Sequence, residues 1–337
     1  MAVMTNSVFM REPGETGVLE YLPHPLNWPA GAQDVLVRLQ AASVNPADTF
    51  FRQLGPYLGD GRRCVLGHDG AGVVQAVGPD VQGFSPGDRV CFCNGGLGGD
   101  PGTYADHAVV PGDLLAKVPD GVSITDAAAF GLVFITGYEA IIERAGVGAG
   151  DMVLIHGGAG GTGQVAIQIA RETGARVAAT VSTEEKAQIV QACGAERAIN
   201  YRDEDLGEAV ESWTNGAGVQ MVLDNAGADV FAQSLRVLAP YGHLVTLMGT
   251  PGDLPDETAY NNNLTIHNVM MLTPMWKGLR AHRQRQAQIL REGLTWLEDG
   301  RLKIQIREEF DLKDAAQAHK LLEQGGGVGK IVLRMSD

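Results

Sequence analysis

Cysteine is scarce, with four in 337 residues. They are too few and too dispersed for a disulfide framework. Only Cys91 and Cys93 lie close together, so the four clustered thiolates of a structural zinc lobe are excluded. No stretch reaches the roughly 18 uninterrupted apolar residues that span a bilayer. The opening Met1 to Ser7 has neither the basic flank nor the apolar core of a signal peptide. These absences lead us to expect a cytoplasmic protein with no membrane partner. Positive charge is also short: 26 Lys and Arg stand against 40 Asp and Glu, a net charge of −14 at pH 7. That average field repels nucleic acid and anionic membranes. One run departs from it, because Lys277, Arg280, His282, Arg283, Arg285 and Arg291 crowd a predicted helix. It reads either as a solvated helix face or as an attractor for an anionic cofactor or substrate.

What is present divides the chain in two. The 45 glycines show no fixed period. The first part is β-rich, with runs such as Val35 to Leu39 and Gly72 to Val77 separated by turn signals such as Gly78-Pro79-Asp80 and Ser85 to Asp88. Past Gly131 the rhythm changes. Apolar runs at Met152 to His156, Val177 to Val181, Ala198 to Tyr201, Gln220 to Leu223, His243 to Met248 and Leu264 to Met271 alternate with helical stretches. Strands buried on both faces read this way, and repeated strand–helix units imply a doubly wound parallel sheet. After Pro274 come a long helix, a strand expected at Leu302 to Ile306, and a closing strand at Lys330 to Arg334. The expected division is 1–130 with 275–337, and 131–274.

Gly158-Ala159-Gly160-Gly161-Thr162-Gly163, preceded by Gly157, fits G-x-G-x-x-G between a predicted strand and an amphipathic helix. A pyrophosphate must approach that backbone and meet the free N–H groups of a helix start, which side chains would prevent. At the end of the second strand an acidic residue would hold the adenosine ribose and repel a 2′-phosphate. Here the chain has Val181-Ser182-Thr183. Glu185 is accounted for by a capping box with Ser182. Ser182, Lys186 and Tyr201 then offer a hydroxyl, a cation and a phenol, a pattern that favours NADPH over NADH. Met248 and Gly249 end the fifth strand of this unit, where the nicotinamide riboside is expected at the carboxyl edge.

The stretches Ala42 to Asp48, Gly67 to Val74, Gly87 to Val90, Thr136-Gly137-Tyr138, Ile199 to Arg202 and Gly329 to Leu333, with the glycine loop, make the whole chain resemble the medium-chain dehydrogenase/reductase superfamily. Its zinc-independent quinone oxidoreductases, the zeta-crystallin type, are the most similar branch. The resemblance implies an α/β protein with a chaperonin-10 (GroES)-like β catalytic domain, a Rossmann domain, an active site in the cleft between them, and a homodimer. It implies that Asn45 and Asp48 line the cleft near the nicotinamide, that Thr136 sits against that ring, and that Lys330 contacts the cofactor. A structural hydrogen-bonding role stays open for the first three. Phe50 follows Asp48-Thr49 where that branch commonly has tyrosine, so a hydroxyl is missing there.

The resemblance also raises zinc, because zinc alcohol dehydrogenases carry a His-Glu pair where this chain has His68-Asp69. Catalytic zinc needs about three Cys, His or carboxylate ligands. The corresponding positions hold Asn45 and, for the second half of the site, Leu132. No metal is therefore expected. Without one, the hydride acceptor should already be electrophilic, such as a quinone or an α,β-unsaturated carbonyl, with proton delivery from water. The alternatives are a zinc-type alcohol dehydrogenase, a non-catalytic NADPH-binding crystallin or sensor, and a reductase of acyl thioesters.

Overall fold

The computed structural model describes residues 2–58, 64–227, 229–252 and 257–335. The chain divides into two compact units. One comprises Met1–Leu132, Leu272–Gly300 and Ile304–Asp337, the other Val133–Met271 with Arg301–Lys303.

The first unit opens with β1 (Ala2–Met10) paired antiparallel to β2 (Leu19–Asn27) over nine residues. Next come β3 (Asp34–Val44), α1 (Pro46–Leu54), β4 (Cys64–Val65), β5 (Asp69–Val77), β6 (Arg89–Cys93), β7 (His107–Pro111) and β8 (Ala116–Lys117). Alternation along β3 sends Val35, Val37 and Leu39 into a core with Val74, Val90, Phe92, Ala108 and Val110. β3 pairs antiparallel with β5 and with β7, and β5 pairs with β6. A Cβ on Gly72 would strike the Arg38 carbonyl and lie 2.7 Å from the Leu39 Cα, so glycine permits the β3–β5 contact. α1 starts sharply because Asn45 caps it in a reciprocal capping box with Asp48, and Pro46 occupies its first turn.

The helix α2 (Ile124–Tyr138) leads into the second unit. Together with its continuation to Arg144 it is 21 residues long and apolar enough to cross a membrane by length and composition, but 78% of its apolar window is buried inside the fold. The second unit alternates β9 (Met152–Ile155), α3 (Gly161–Glu172), β10 (Arg176–Val181), α4 (Glu184–Ala192), β11 (Arg197–Asn200), α5 (Leu206–Thr214), β12 (Val219–Asp224), α6 (Asp229–Val237), β13 (Leu238–Thr246), α7 (Thr258–Asn261) and β14 (Thr265–Asn268). All six strands run parallel in the order β11-β10-β9-β12-β13-β14. Leu154, Ala178, Ile199, Val222 and Leu244 pack with Phe231 and Leu235 of α6, as a sheet covered by helices requires. The strand order reverses between β9 and β12, the crevice where such sheets receive dinucleotides.

The chain then returns to the first unit through α8 (Thr273–Trp276), α9 (Arg280–Glu298), β15 (Ile306–Asp311), α10 (Ala315–Glu323) and β16 (Lys330–Arg334). β16 joins β3 antiparallel, and β15 lies outside it in parallel. Three strand expectations change: His243 to Met248 becomes Leu238–Thr246, so Met248 and Gly249 follow the strand and do not end it. Leu302 to Gln305 lies outside the strand, although the Gln305 carbonyl accepts from the Lys330 N–H at 2.8 Å, and the strand is the more polar Ile306–Asp311. A strand at a sheet edge needs apolar residues on one face at most, so apolar content pointed to the wrong segment. Leu264 to Met271 shortens to Thr265–Asn268; Val269 and Met271 are buried outside the ladder.

Candidate functional site

The glycine turn joins β9 to α3. A Cβ on Gly158 would lie 2.7 Å from the Ala179 Cβ and 3.0 Å from Val190, so this glycine allows the turn to pack on β10 and α4. A Cβ on Gly163 would strike the Gly157 carbonyl and lie 2.7 Å from the Gly158 Cα. Gly160 differs, since its φ is −73° and its added Cβ would meet nothing nearer than the Gly157 oxygen at 3.4 Å. Nothing within the protein demands glycine there. The N-cap of α3 is this same Gly160, so no capping side chain reaches the first-turn N–H groups of Gly161, Thr162 and Gly163. A backbone left open beside a helix start fits a pyrophosphate.

Below the turn lies a buried polar chain. His156 Nδ1 is 3.3 Å from Thr180 Oγ1, which accepts from the Gly157 N–H at 3.1 Å. His156 Nε2 is 3.1 Å from Ser234 Oγ, which donates to the Val230 carbonyl at 2.7 Å. Asn225 Nδ2 donates to the His156 carbonyl at 2.9 Å.

At the end of β10, Lys186 Nζ donates to Ser182 Oγ at 3.1 Å. The helix cap here is Thr183, whose Oγ1 accepts from the Lys186 N–H, and not Ser182 as the capping-box pattern suggested. β10 extends to Val181, so Ser182 still belongs to the extended segment and its hydroxyl is left for the lysine ammonium. Tyr201 is more than half exposed, and its N–H donates to Val181 O at 3.2 Å. Ser182, Lys186 and Tyr201 thus lie at one strand end. Among the other expected residues of this unit, Met248 is 62% exposed, Gly249 has φ +84° with open space around it, and Thr136 is buried on α2.

In the first unit a second polar cluster is buried. Asp69 Oδ1 accepts from Ser43 Oγ at 2.7 Å and Asn45 Nδ2 at 2.8 Å, and its Oδ2 accepts from the Leu132 N–H at 3.0 Å. Lys330 Nζ donates to Asn45 Oδ1. Asp48 accepts from the Asn45 N–H at 2.8 Å and the Gly67 N–H at 3.1 Å. Burial raises the Asp48 carboxyl, and the nearby His68 opposes that rise. Burial lowers Lys330, which is 5% exposed, while Asp69 and Asp48 act to hold its proton. His68 Nδ1 donates to the Gly95 carbonyl at 2.9 Å, and its Nε2 lies 3.5 Å from Asp48 Oδ1. Asn45 and Asp48 have no exposed surface in this structure. As site residues, Ser43 and the His156 chain escaped the sequence reading; the adjacency of His156 to the glycines could have signalled that chain.

The basic helix is engaged within its own unit. Arg280 and Gln284 bond the Asp113 carboxylate, Arg283 bonds Asn94, and Arg291 Nη2 donates to Leu115 O at 2.9 Å. Trp276 stacks on Tyr57 with centroids 4.4 Å apart and planes at 16°.

Two buried histidines set a pH limit on the fold. Burial lowers His156 to about 4 and His319, bonded to Tyr104 and near Arg52, to about 3, from an ordinary 6.5. Both folded-state values are depressed. The stability they contribute is therefore complete above about pH 6.5 and is lost as pH falls through the folded values, a loss on the order of several kcal/mol. Urea unfolding at pH 7 and pH 4 should show His319→Gln losing less between the two than wild type. Equal losses would mean that His319 plays no part.

Residues 31–120 match the family described as alcohol dehydrogenase GroES-like domain, and residues 193–333 match that described as zinc-binding dehydrogenase. The chain is 33% identical over 95% of its length to a quinone oxidoreductase of Pseudomonas aeruginosa, covering 96% of that protein. It is 33% identical over 90% of its length to a 2-haloacrylate reductase of a Burkholderia species, covering 91% of it. It is 30% identical over 96% of its length to a phenolphthiocerol/phthiocerol polyketide synthase of Mycobacterium tuberculosis, of which it spans only 14%. Among solved structures, it is similar to an NAD-dependent alcohol dehydrogenase (TM-score 0.87, 34% identity, 98% of this chain and 100% of that one). The Escherichia coli quinone oxidoreductase complexed with NADPH is also similar (TM-score 0.83, 27% identity, 98% and 99%). A GroES-like domain with a Rossmann sheet and its glycine turn defines a nucleotide-binding oxidoreductase. The chain belongs to the medium-chain dehydrogenase/reductase superfamily.

Proposed function

We propose that this oxidoreductase uses NADPH to reduce a quinone or an α,β-unsaturated carbonyl without zinc. The observation that carries the reading is the convergence of Asn45, Asp69 and the Leu132 N–H. Asn45 and Leu132 hold positions that correspond to zinc ligands in zinc alcohol dehydrogenases, and Asp69 follows His68 in the place of their His-Glu pair. Here Asp69 is saturated by three donors and the Asn45 amide oxygen is taken by the Lys330 ammonium. A cation among these groups would have to displace an existing one, and an amide is a poor zinc ligand. The acceptor must then bring its own electrophilicity, as conjugated carbonyls do.

NADPH would supply the hydride. The turn at Gly158, Gly160 and Gly161, with the N–H groups of Thr162 and Gly163, would hold its pyrophosphate. Ser182, Lys186 and Tyr201 would meet the 2′-phosphate. Thr136, Met248 and Gly249 would face the nicotinamide riboside. Lys330 would orient Asn45, and no side chain is assigned as an essential acid, since a stabilised enolate or hydroquinone anion takes its proton from water.

Oxidation of NADPH and NADH should be followed against para-quinones, enones and simple ketones, before and after chelation. Turnover of quinones or enones that survives chelation supports the reading; activity confined to ketones and abolished by chelation overturns it. Lys186→Ala should raise KM for NADPH by about tenfold, the loss of one charge-assisted contact, and leave KM for NADH within about twofold. A parallel rise for both cofactors would remove Lys186 from the 2′-phosphate. The likeness to a polyketide synthase segment favours a second reading, enoyl thioesters, which comparing free enones with their thioesters resolves. The internal pairing of Arg280, Arg283 and Arg291 weakens the basic helix as its argument.

A further inference from the structure

We propose that His156 is a positioning residue for the glycine turn, acting through Thr180 on the Gly157 N–H. The inference rests on the dinucleotide reading of that turn. It concerns the protonation and partners of one buried imidazole, which the binding residues named above do not include.

The proton positions follow from the acceptors. Ser234 Oγ lies 2.7 Å from the Val230 carbonyl, which only accepts, so the hydroxyl proton points there. Ser234 then meets His156 Nε2, 3.1 Å away, with a lone pair, and Nε2 must carry the hydrogen. A neutral ring leaves Nδ1 as an acceptor, and Thr180 Oγ1 at 3.3 Å donates to it. That leaves a Thr180 lone pair for the Gly157 N–H at 3.1 Å. Every donor in this chain has one acceptor only when His156 is neutral and protonated on Nε2. The ring is 4% exposed, and its environment opposes the charged form.

What the chain accomplishes is geometric. His156 follows directly on β9, and Thr180 is on β10. Ser234 and Val230 are on α6, and Asn225, after β12, holds the His156 carbonyl. Gly157 turns with φ +63°, and its N–H is directed into the protein. The first-turn N–H groups of α3, which follow it, have no side-chain cap. Four elements are tied to the one residue that sets the direction of the phosphate-binding turn. Hydrogen bonds confined to the core would stabilise the unit equally well from any position. These converge on the turn, so their loss should loosen ligand contacts made several residues away.

The test compares Thr180→Val, His156→Phe, Ser234→Ala and Thr180→Ser by NADPH titration and steady-state kinetics. Thr180→Val and His156→Phe should each raise the NADPH Kd and KM by about tenfold, the scale of one lost buried hydrogen bond. They should change kcat at saturating NADPH, and KM for the electrophile, by less than about twofold. Ser234→Ala, one bond further from the turn, should raise Kd by about threefold, and Thr180→Ser, which keeps the hydroxyl, should bind within about twofold of wild type. The double variant His156→Phe/Thr180→Val should be no worse than about twofold beyond either single one, because both break the same chain. Wild-type protein that binds neither NADPH nor NADH overturns the dinucleotide reading itself. Wild type that binds while Thr180→Val binds equally well overturns the positioning role alone, even if thermal stability falls. Should His156→Phe fail to fold, the Thr180→Val and Thr180→Ser pair still decides the matter.

Discussion

Lys330→Met should destabilise the folded protein by about 3–5 kcal/mol, the cost of removing one partner from a buried charged network. Methionine conserves most of the side-chain volume, so the loss reports on the ammonium and not on a cavity. In the native protein that ammonium donates to Asn45 Oδ1 and to the Val44 carbonyl at 3.4 Å. Asp69 and Asp48 are both essentially without exposed surface and are the two opposite charges acting on it. Removing it leaves the buried Asp69 with hydrogen-bond donors alone and Asp48 with such donors and the neighbouring His68. The Asn45 amide oxygen would lose its charged donor, loosening the N-cap of α1. Lys303→Met, at an exposed site, serves as control and should fall within about 0.5 kcal/mol of wild type. Equilibrium unfolding in urea measures both. A loss under about 1 kcal/mol for Lys330→Met would show that the ammonium is not the counter-charge of this cluster.

Gly160→Ala and Gly163→Ala should separate binding from folding. Alanine at 160 meets only the Gly157 oxygen at 3.4 Å inside the protein. Its melting temperature should stay within about 2 °C of wild type, since no mechanism of large destabilisation applies. A methyl group on the open side of the turn nevertheless stands where a pyrophosphate would approach. Losing two charge-assisted hydrogen bonds there should weaken NADPH binding by about 100-fold. Alanine at 163 strikes the Gly157 carbonyl and approaches the Gly158 Cα to 2.7 Å. Because backbone must move to relieve it, this variant should lose about 1–3 kcal/mol of stability together with its affinity. Calorimetry and NADPH titration on the same samples provide the comparison. Unchanged affinity in a well-folded Gly160→Ala would remove the pyrophosphate from the turn.

The features that could be read from the sequence are those governed by local rules. Strands buried on both faces must be continuously apolar, which marked β9, β10 and β12. A turn that receives a phosphate must lack side chains, which marked Gly158 to Gly163. The polar edge strand Ile306–Asp311 could not be read that way, since its place is set by pairing with β16. The start of α4 moved from Ser182 to Thr183 for a similar reason, because β10 remains extended to Val181.

Alternation, glycine placement and the absence of thiolate clusters are properties of neighbouring residues, and they determined by themselves the α/β class, the parallel sheet and the position of its nucleotide turn. The partner of each buried charge was decided only in three dimensions. Lys330 reaches Asn45 because β16 lies against β3, and Asp69 meets Leu132 across 63 residues of sequence. Thr180 finds His156 because β10 lies beside β9. Such pairings cost nothing in local conformation and leave no period in the sequence. Desolvation enforces them, and a group is desolvated only once the sheets and helices have closed around it.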